Sequence, residues 1–225
     1  MEDTVTLSRT ARTDLLTMIK WGVAHQSFDE SGKSGDQYLL MPISNGVLVA
    51  VADALGHGPK ASLAGEAAIA ALEAHANESL VRLFEHCHNA LRRTRGVVMS
   101  AAILESSSEA ANGCARVIWL GVGNVAGLVL SRSAGKPLVR EHLLSRGGIV
   151  GYNLPTLRPV TFPLYPNDTL IFATDGLRSN FGDSLTDDIS PQQLADRLLA
   201  NHYRGTDDAL VLALRYLGPP SGSSG

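Results

Sequence analysis

Apolar runs separated by short polar, glycine-bearing breaks set the rhythm of this chain, and their period changes along its length. Residues 1–20 mix polar and apolar positions and predict a first strand or an amphipathic turn. Residues 29–35 (Asp-Glu-Ser-Gly-Lys-Ser-Gly) read as a polar loop by their turn chemistry. Residues 38–42 and 46–52 predict two strands around Ser44-Asn45-Gly46, because Asn-Gly between apolar runs is a strong hairpin signal. The second of them (Val-Leu-Val-Ala-Val-Ala) is apolar at every position, which predicts burial on both faces. Residues 60–76 are alanine-rich and free of proline, which predicts a helix packed through a small-residue stripe at Ala67, Ala68, Ala71, Leu72 and His75. A second helix is predicted over 79–93, where Leu80, Leu83, Phe84, Cys87 and Leu91 recur at spacings of three and four. Beyond Gly96 the pattern turns to strands at 97–105, 115–121, 126–131 and 169–173, with polar loops at 106–113 and 123–124. Ser190-Pro191-Gln192-Gln193 is a helix start, with serine as cap, proline at the first position and glutamine placed for a capping box. That helix should end near Gly205, and a last strand should cover 209–216.

The order of strands, two helices, several strands, a helix and a strand lacks a repeating βαβ rhythm. It predicts an α+β fold of antiparallel layers in one domain spanning residues 1–217. Residues 218–225 (Gly-Pro-Pro-Ser-Gly-Ser-Ser-Gly) have linker composition and stand apart from it as a low-complexity tail. A hydrophobic share of 44% with a net charge of -3 excludes a disordered chain. There is neither a run of roughly 18 apolar residues for a membrane span nor the basic excess that phosphate-backbone binding needs. Neither a membrane nor a nucleic acid is therefore an expected partner. Two cysteines without a framework, and an acidic polar start at Met1-Glu2-Asp3-Thr4, fit a cytoplasmic protein. His86-Cys87-His88 gives no zinc site, since residues two apart on a helix diverge. Gly121-Val122-Gly123-Asn124 opens a strand rather than a helix, which argues against dinucleotide binding.

The aspartates carry more information. Asp53 follows the buried strand at 46–52, Asp175 follows the run at 169–173 after one threonine, and Asp207-Asp208 precede the last strand. Asp36 precedes another apolar stretch. Each alone is an ordinary turn residue. Several carboxylates at strand ends can also converge on one rim of a sheet, where a divalent cation relieves their repulsion and oxygen donors suit Mg²⁺ or Mn²⁺.

In order, Ser34-Gly35-Asp36, then Val51-Ala52-Asp53-Ala54-Leu55-Gly56-His57-Gly58, then Ala173-Thr174-Asp175-Gly176-Leu177, then Asp207-Asp208 resemble the motifs of the metal-dependent type 2C (PPM) serine/threonine phosphatases, in the variant of the SpoIIE branch. Arg95-Gly96, Gly121-Val122-Gly123-Asn124 and Ser145-Arg146-Gly147-Gly148-Ile149-Val150-Gly151 extend the resemblance, which covers about residues 30–216. With Phe84–Leu91 ahead of Arg95-Gly96, the chain is most similar to stressosome feedback phosphatases of the RsbX type. The resemblance implies a four-layer αββα sandwich of two antiparallel sheets flanked by helices. It also implies a two-metal Mn²⁺ or Mg²⁺ centre, in which Asp53 bridges both ions and the Ala54 carbonyl binds one. Asp175 and Asp207 would hold the other ion, and Asp36 would support the second site directly or through water. Asp208 would ligate or merely orient. Two ions about 3.5–4 Å apart activate water for in-line attack on a phosphate ester, so no nucleophilic Cys or Ser is required.

Relatives usually have Asp-Gly where this chain has Asp53-Ala54, and eukaryotic type 2C enzymes have an acidic ligand where Gly35 stands. The second metal site is therefore expected to be weak. Leu55 occupies the place of a candidate acid histidine, which leaves His57, two residues on, or water as the candidate proton donor to the leaving oxygen. The implied function is dephosphorylation of phosphoserine or phosphothreonine on STAS-domain stressosome scaffold proteins, as a feedback reset. Two alternatives stand beside it: a SpoIIE-like phosphatase of an anti-sigma-factor antagonist, and a catalytically weak binding module of the same fold.

Overall fold

The computed structural model describes residues 15–28, 32–105, 113–131, 138–185 and 188–219. The start of the expected first element, residues 29–31 of the first polar loop, residues 106–112 of the second, and the tail from 220 lie outside the described residues. Among the described residues, ten strands and three long helices follow in order: β1 (Ile19–Gln26), β2 (Asp36–Ile43), β3 (Gly46–Ala54), α1 (Pro59–Ala74), α2 (Leu80–Leu91), β4 (Val97–Glu105), β5 (Ala115–Val122), β6 (Ala126–Ser131), β7 (Val139–Leu143), β8 (Val160–Leu164), β9 (Thr169–Ala173), α3 (Pro191–His202) and β10 (Ala209–Tyr216). They form two five-stranded sheets, β1-β10-β9-β6-β7 and β2-β3-β4-β5-β8, antiparallel throughout.

Three apolar layers hold these elements together. Leu48, Ala50, Ala52 and Ala54 of β3 face α1 and α2. Val47, Val49 and Val51, on the opposite face, meet Leu170 and Phe172 of β9 and Leu210, Leu212 and Leu214 of β10 between the sheets. On the far side, Val211 and Ala213 pack with Leu194, Ala195 and Leu198 of α3. The result is the expected αββα sandwich. A β-strand alternates faces with period two, so both rows of β3 need apolar side chains, which accounts for its unbroken apolar run.

Local details follow the chain's chemistry. The capping box of α3 is formed: the Ser190 hydroxyl accepts from the Gln193 N–H at 3.2 Å, and the Ser190 N–H donates to Gln193 Oε1 at 3.1 Å. In α2 the buried face is Leu80, Leu83, Phe84, Cys87 and Leu91, with Ser79 as N-cap. The buried stripe of α1 is rotated from expectation to Ala61, Ala64, Gly65, Ala68 and Leu72, leaving Ala67 and Ala71 at its margin. The β2–β3 loop is Ser44-Asn45 alone. Gly46 already belongs to β3, where a Cβ would run into the Leu104 carbonyl of the neighbouring strand. Of the two tryptophans, Trp119 is buried between the sheets against Phe172, whereas Trp21 lies 44% exposed on edge strand β1. No helix among the described residues is long and apolar enough to cross a membrane.

Candidate metal centre

Strand parity places the first carboxylates. Asp53 continues the row Val47, Val49, Val51, and Asp36 continues the row of Tyr38 and Leu40; both rows face the gap between the sheets. Asp36 and Asp53 are also direct cross-strand partners. Residues directly opposite in an antiparallel pair project to the same side about 4.5–5.5 Å apart, so two carboxyls are forced together at the rim. On the facing sheet, Thr174 continues the row of Leu170 and Phe172, while Asp208 continues that of Leu210 and Leu212.

One hydrogen bond closes this rim across the sandwich: the Thr174 hydroxyl donates to Asp36 Oδ2 at 2.7 Å. The same hydroxyl accepts from the Leu210 N–H at 2.8 Å, which fixes its direction. Asp208 is buried, and each of its oxygens accepts a backbone N–H: Oδ1 from Phe28 at 2.8 Å and Oδ2 from Gly35 at 2.7 Å. It thereby ties the start of β10 to the two ends of the loop that leads into Asp36. Asp175 is exposed; its Oδ2 accepts from the Asn124 amide at 2.8 Å, and its backbone carbonyl accepts from Arg204 at 3.2 Å. Asp207 lies half-buried, with Oδ1 accepting the Asp208 N–H at 2.9 Å. Gly176, between Asp175 and the rest of the turn, is obligatory: a Cβ there would meet the Asp208 carbonyl and, at 2.9 Å, Ala209 Cα.

The electrostatics are those of a site short of positive charge. Burial, then repulsion from Asp36, Asp175 and Asp207, drives the Asp53 carboxyl well above the ordinary carboxylate range. Burial also raises Asp36; the Thr174 hydrogen bond opposes the shift, and the charges of Asp208, Asp207 and Asp175 reinforce it. Four carboxyls of four separate segments thus crowd one place. Such an all-oxygen donor set fits a hard divalent cation. The Ala54 carbonyl belongs to the same turn: its residue donates N–H to Gly35 O at 3.3 Å. Ala54 does not have a left-handed φ; in this turn that conformation falls to Gly56 and Gly58, both at φ 78°. The methyl group in place of the usual glycine therefore introduces no backbone strain here.

His57 is exposed in this turn, edge-on to the Phe28 ring at 5.2 Å between centroids. The motif residues Thr174, Asn124 and Arg95 were legible as part of a pattern but not as orienting groups. Arg95 crosses the turn, with Nη1 3.4 Å from the Leu55 carbonyl. Arg204 carried no sequence signal at all, since only the fold brings the end of α3 to Asp175. Beside Asp175 opens a cleft of about 530 Å³, lined among others by Asn124, His142, Thr174, Arg178 and Arg204.

With this geometry in place, comparison with known proteins is informative. Residues 44–217 match the family model of Stage II sporulation protein E (SpoIIE). No curated protein matches the chain significantly. Among solved structures, the fold is similar to a chain from "The bacterial stressosome: a modular system that has been adapted to control secondary messenger signaling", at 26% identity and TM-score 0.74, covering 88% of this chain and 99% of that one. RsbX in complex with magnesium superposes with TM-score 0.73 at 21% identity, covering 88% and 95%. The Mycobacterium tuberculosis serine/threonine phosphatase PstP/Ppp gives TM-score 0.67 at 15% identity, covering 88% and 99%. The PstP catalytic domain is also known in complex with two manganese ions.

Proposed function

The chain belongs to the SpoIIE branch of the type 2C phosphatase superfamily, and on that premise we propose that it is a Mn²⁺- or Mg²⁺-dependent protein serine/threonine phosphatase. The observation that carries the reading is the convergence of Asp36, Asp53, Asp175 and Asp207 at one rim between the sheets, with Asp36 and Asp53 driven toward protonation by burial and by the neighbouring carboxylates. Asp53 and the Ala54 carbonyl would hold one ion, Asp53, Asp175 and Asp207 the other, and Asp36 would support the weaker site. Bound divalent ions supply Lewis acidity and activated water for hydrolysis of the phosphate ester.

The chain's own residues do the positioning. Thr174 and Asn124 fix the rotamers of Asp36 and Asp175 through their hydrogen bonds. Asp208 is assigned the orienting role, because its two oxygens already hold Phe28 and Gly35. Arg178 and Arg204 line the cleft beside Asp175 and give it positive charge for a phosphoprotein segment. His57 remains the candidate proton donor to the leaving serine oxygen, from the turn that carries Asp53 and Ala54.

The preferred substrates are phosphorylated STAS-domain stressosome scaffold proteins, a reading supported by the similarity to a stressosome chain and to RsbX. Hydrolysis of an aryl phosphate tests the activity: it should require Mn²⁺ or Mg²⁺, stop with chelator and collapse in Asp175→Asn. Activity indifferent to both would end the two-metal reading. Parallel assays on a phosphorylated stressosome scaffold and a phosphorylated anti-sigma-factor antagonist then choose the substrate; faster turnover of the antagonist would overturn the stressosome assignment.

A further inference from the structure

A second cluster of metal-binding side chains lies on the outer helical layer, where α1 turns into α2. His75 is the C-cap of α1, Glu78 lies in the connection, and His86 comes from the second turn of α2. His75 Nδ1 is 2.9 Å from Glu78 Oε1, and His86 Nε2 is 3.1 Å from Glu78 Oε2. The two imidazoles stack face to face, 3.6 Å between centroids and 1° from parallel. One donor atom from each of the three residues falls within 4.8 Å of the others.

That arrangement calls for a chemical explanation. Both stacked rings aim a nitrogen at the same carboxylate. Parallel ring planes 3.6 Å apart cannot both contain one ion, so an ion with bonds of about 2.0–2.2 Å to nitrogen and oxygen would be reached by turning one ring out of the stack, for which both partly exposed side chains have room. The frame is also held in advance. Asn77 Oδ1 accepts from the Ser44 N–H and hydroxyl, at 2.9 and 2.5 Å, while Ser79 caps α2 and Ala76 is buried. The nearby cation is Arg82, whose Nε lies 3.8 Å from Glu78 Oε2, but its Nη1 pairs with Glu85 at 2.8 Å, and the side chain is 61% exposed.

We propose that His75, Glu78 and His86 form a binding site for a borderline divalent transition metal, of the Zn²⁺, Ni²⁺ or Cu²⁺ class. Two imidazoles and one carboxylate leave a fourth position for water, the pattern of an open zinc site. The donor set separates it from the aspartate rim, whose oxygens prefer hard ions. Distance separates it too: α1, with its 16 residues, spans about 24 Å, and its other end adjoins the Asp53–Gly58 turn. An ion here would pin the end of α1 to α2 from outside the core. Because a protonated imidazole cannot ligate, binding should weaken in acid.

Zn²⁺ titration by calorimetry, with the aspartate rim saturated by excess Mg²⁺, tests the proposal on the intact chain. One Zn²⁺ per chain is expected, weakened at least roughly tenfold in His75→Ala and in His86→Gln, since even outer-shell partners of a metal are worth that much. Cu²⁺ in place of Zn²⁺ should show two nitrogen couplings by electron paramagnetic resonance in the parent and one in each variant. All three side chains are partly exposed, so the variants should keep the parent's metal-free Tm. Absence of Zn²⁺ binding under excess Mg²⁺, or binding unchanged by both substitutions, would show that Glu78 serves only as a hydrogen-bonded clamp.

Discussion

Asp208→Asn isolates the residue assigned to orient the rim without ligating. The substitution keeps shape and one acceptor oxygen but turns an NH₂ group toward either the Phe28 or the Gly35 N–H. In the parent, both N–H groups donate to the carboxylate at 2.8 and 2.7 Å, from a side chain only 4% exposed. Hydrogen bonds to a charged partner contribute about 1.5–3 kcal/mol each, and a stranded buried donor costs about 1–3 kcal/mol. Removing a negative charge from a crowded rim returns part of this, which leaves a net loss of about 2–4 kcal/mol. For a chain of this size that corresponds to a Tm lowered by about 5–15 °C. The assay is thermal unfolding of metal-free parent, Asp208→Asn and Asp207→Asn, with amide exchange at Gly35 as the local probe. Asp207 accepts only one N–H, from its neighbour, and its amide retains that acceptor, so Asp207→Asn should change Tm little. A Tm for Asp208→Asn within two or so degrees of the parent, or no faster exchange at Gly35, would refute the reasoning.

Three further outcomes are expected. Asp36 and Asp53 are raised from 3.8 to about 7 and about 9, so the folded metal-free protein holds protons that the unfolded chain releases. Its stability contribution from these groups is complete below pH 3.8 and is lost as pH rises through about 7 and then about 9. Mg²⁺ or Asp53→Asn should flatten that fall in a Tm-against-pH series; a metal-free Tm that climbs from pH 5 to 9 contradicts it. Gly176→Ala must push the Asp175 turn off the Asp208 carbonyl, at a cost of about 1–3 kcal/mol seen in denaturant unfolding, together with weaker Mn²⁺ dependence. Asn124→Ala frees Asp175 Oδ2 at an exposed position, so stability should hold within about 0.5 kcal/mol while the Mn²⁺ concentration for half-maximal phosphatase activity rises about 10–100-fold.

What the sequence discloses about this fold depends on where each strand lies in its sheet. Strands β3, β4, β6, β9 and β10 are flanked on both sides, need apolar residues on both faces, and announce themselves as apolar runs. The strands without a clear signal, β1, β7 and β8, are all edges. β7 reads Val-Arg-Glu-His-Leu, with four of its five residues exposed. β8 contains Pro163, which lacks the N–H that an inner strand must donate. Polar or proline-bearing edges protect a sheet against further pairing, and the same chemistry hides them from a search for hydrophobic periodicity. The carboxylates of the rim are legible as acids at the ends of apolar runs, and in the folded strand period-two alternation carries Asp53 onto the row of Val47, Val49 and Val51. Arg204 and the cleft are not legible, because their place depends on how α3 returns to β9, a relation with no local sequence signal. The His75–Glu78–His86 cluster escaped for a related reason: His86 was weighed against its helix neighbour His88, whereas its partners lie across the helix corner. His88 itself turns elsewhere, with Nδ1 accepting the Gly151 N–H at 3.0 Å.

The hydrogen bond from Thr174 to Asp36 joins the end of β9 to the start of β2, which belong to different sheets, across 138 positions of the chain. Neither sheet alone contains more than half of the rim: Asp36 and Asp53 come with one, Asp175 and Asp207 with the other. The proposed ions would therefore find all their ligands only once β10 lies beside β9 and the two sheets have closed. The proposed phosphatase activity would thus belong only to the closed sandwich, and an incompletely folded chain would lack the site for it.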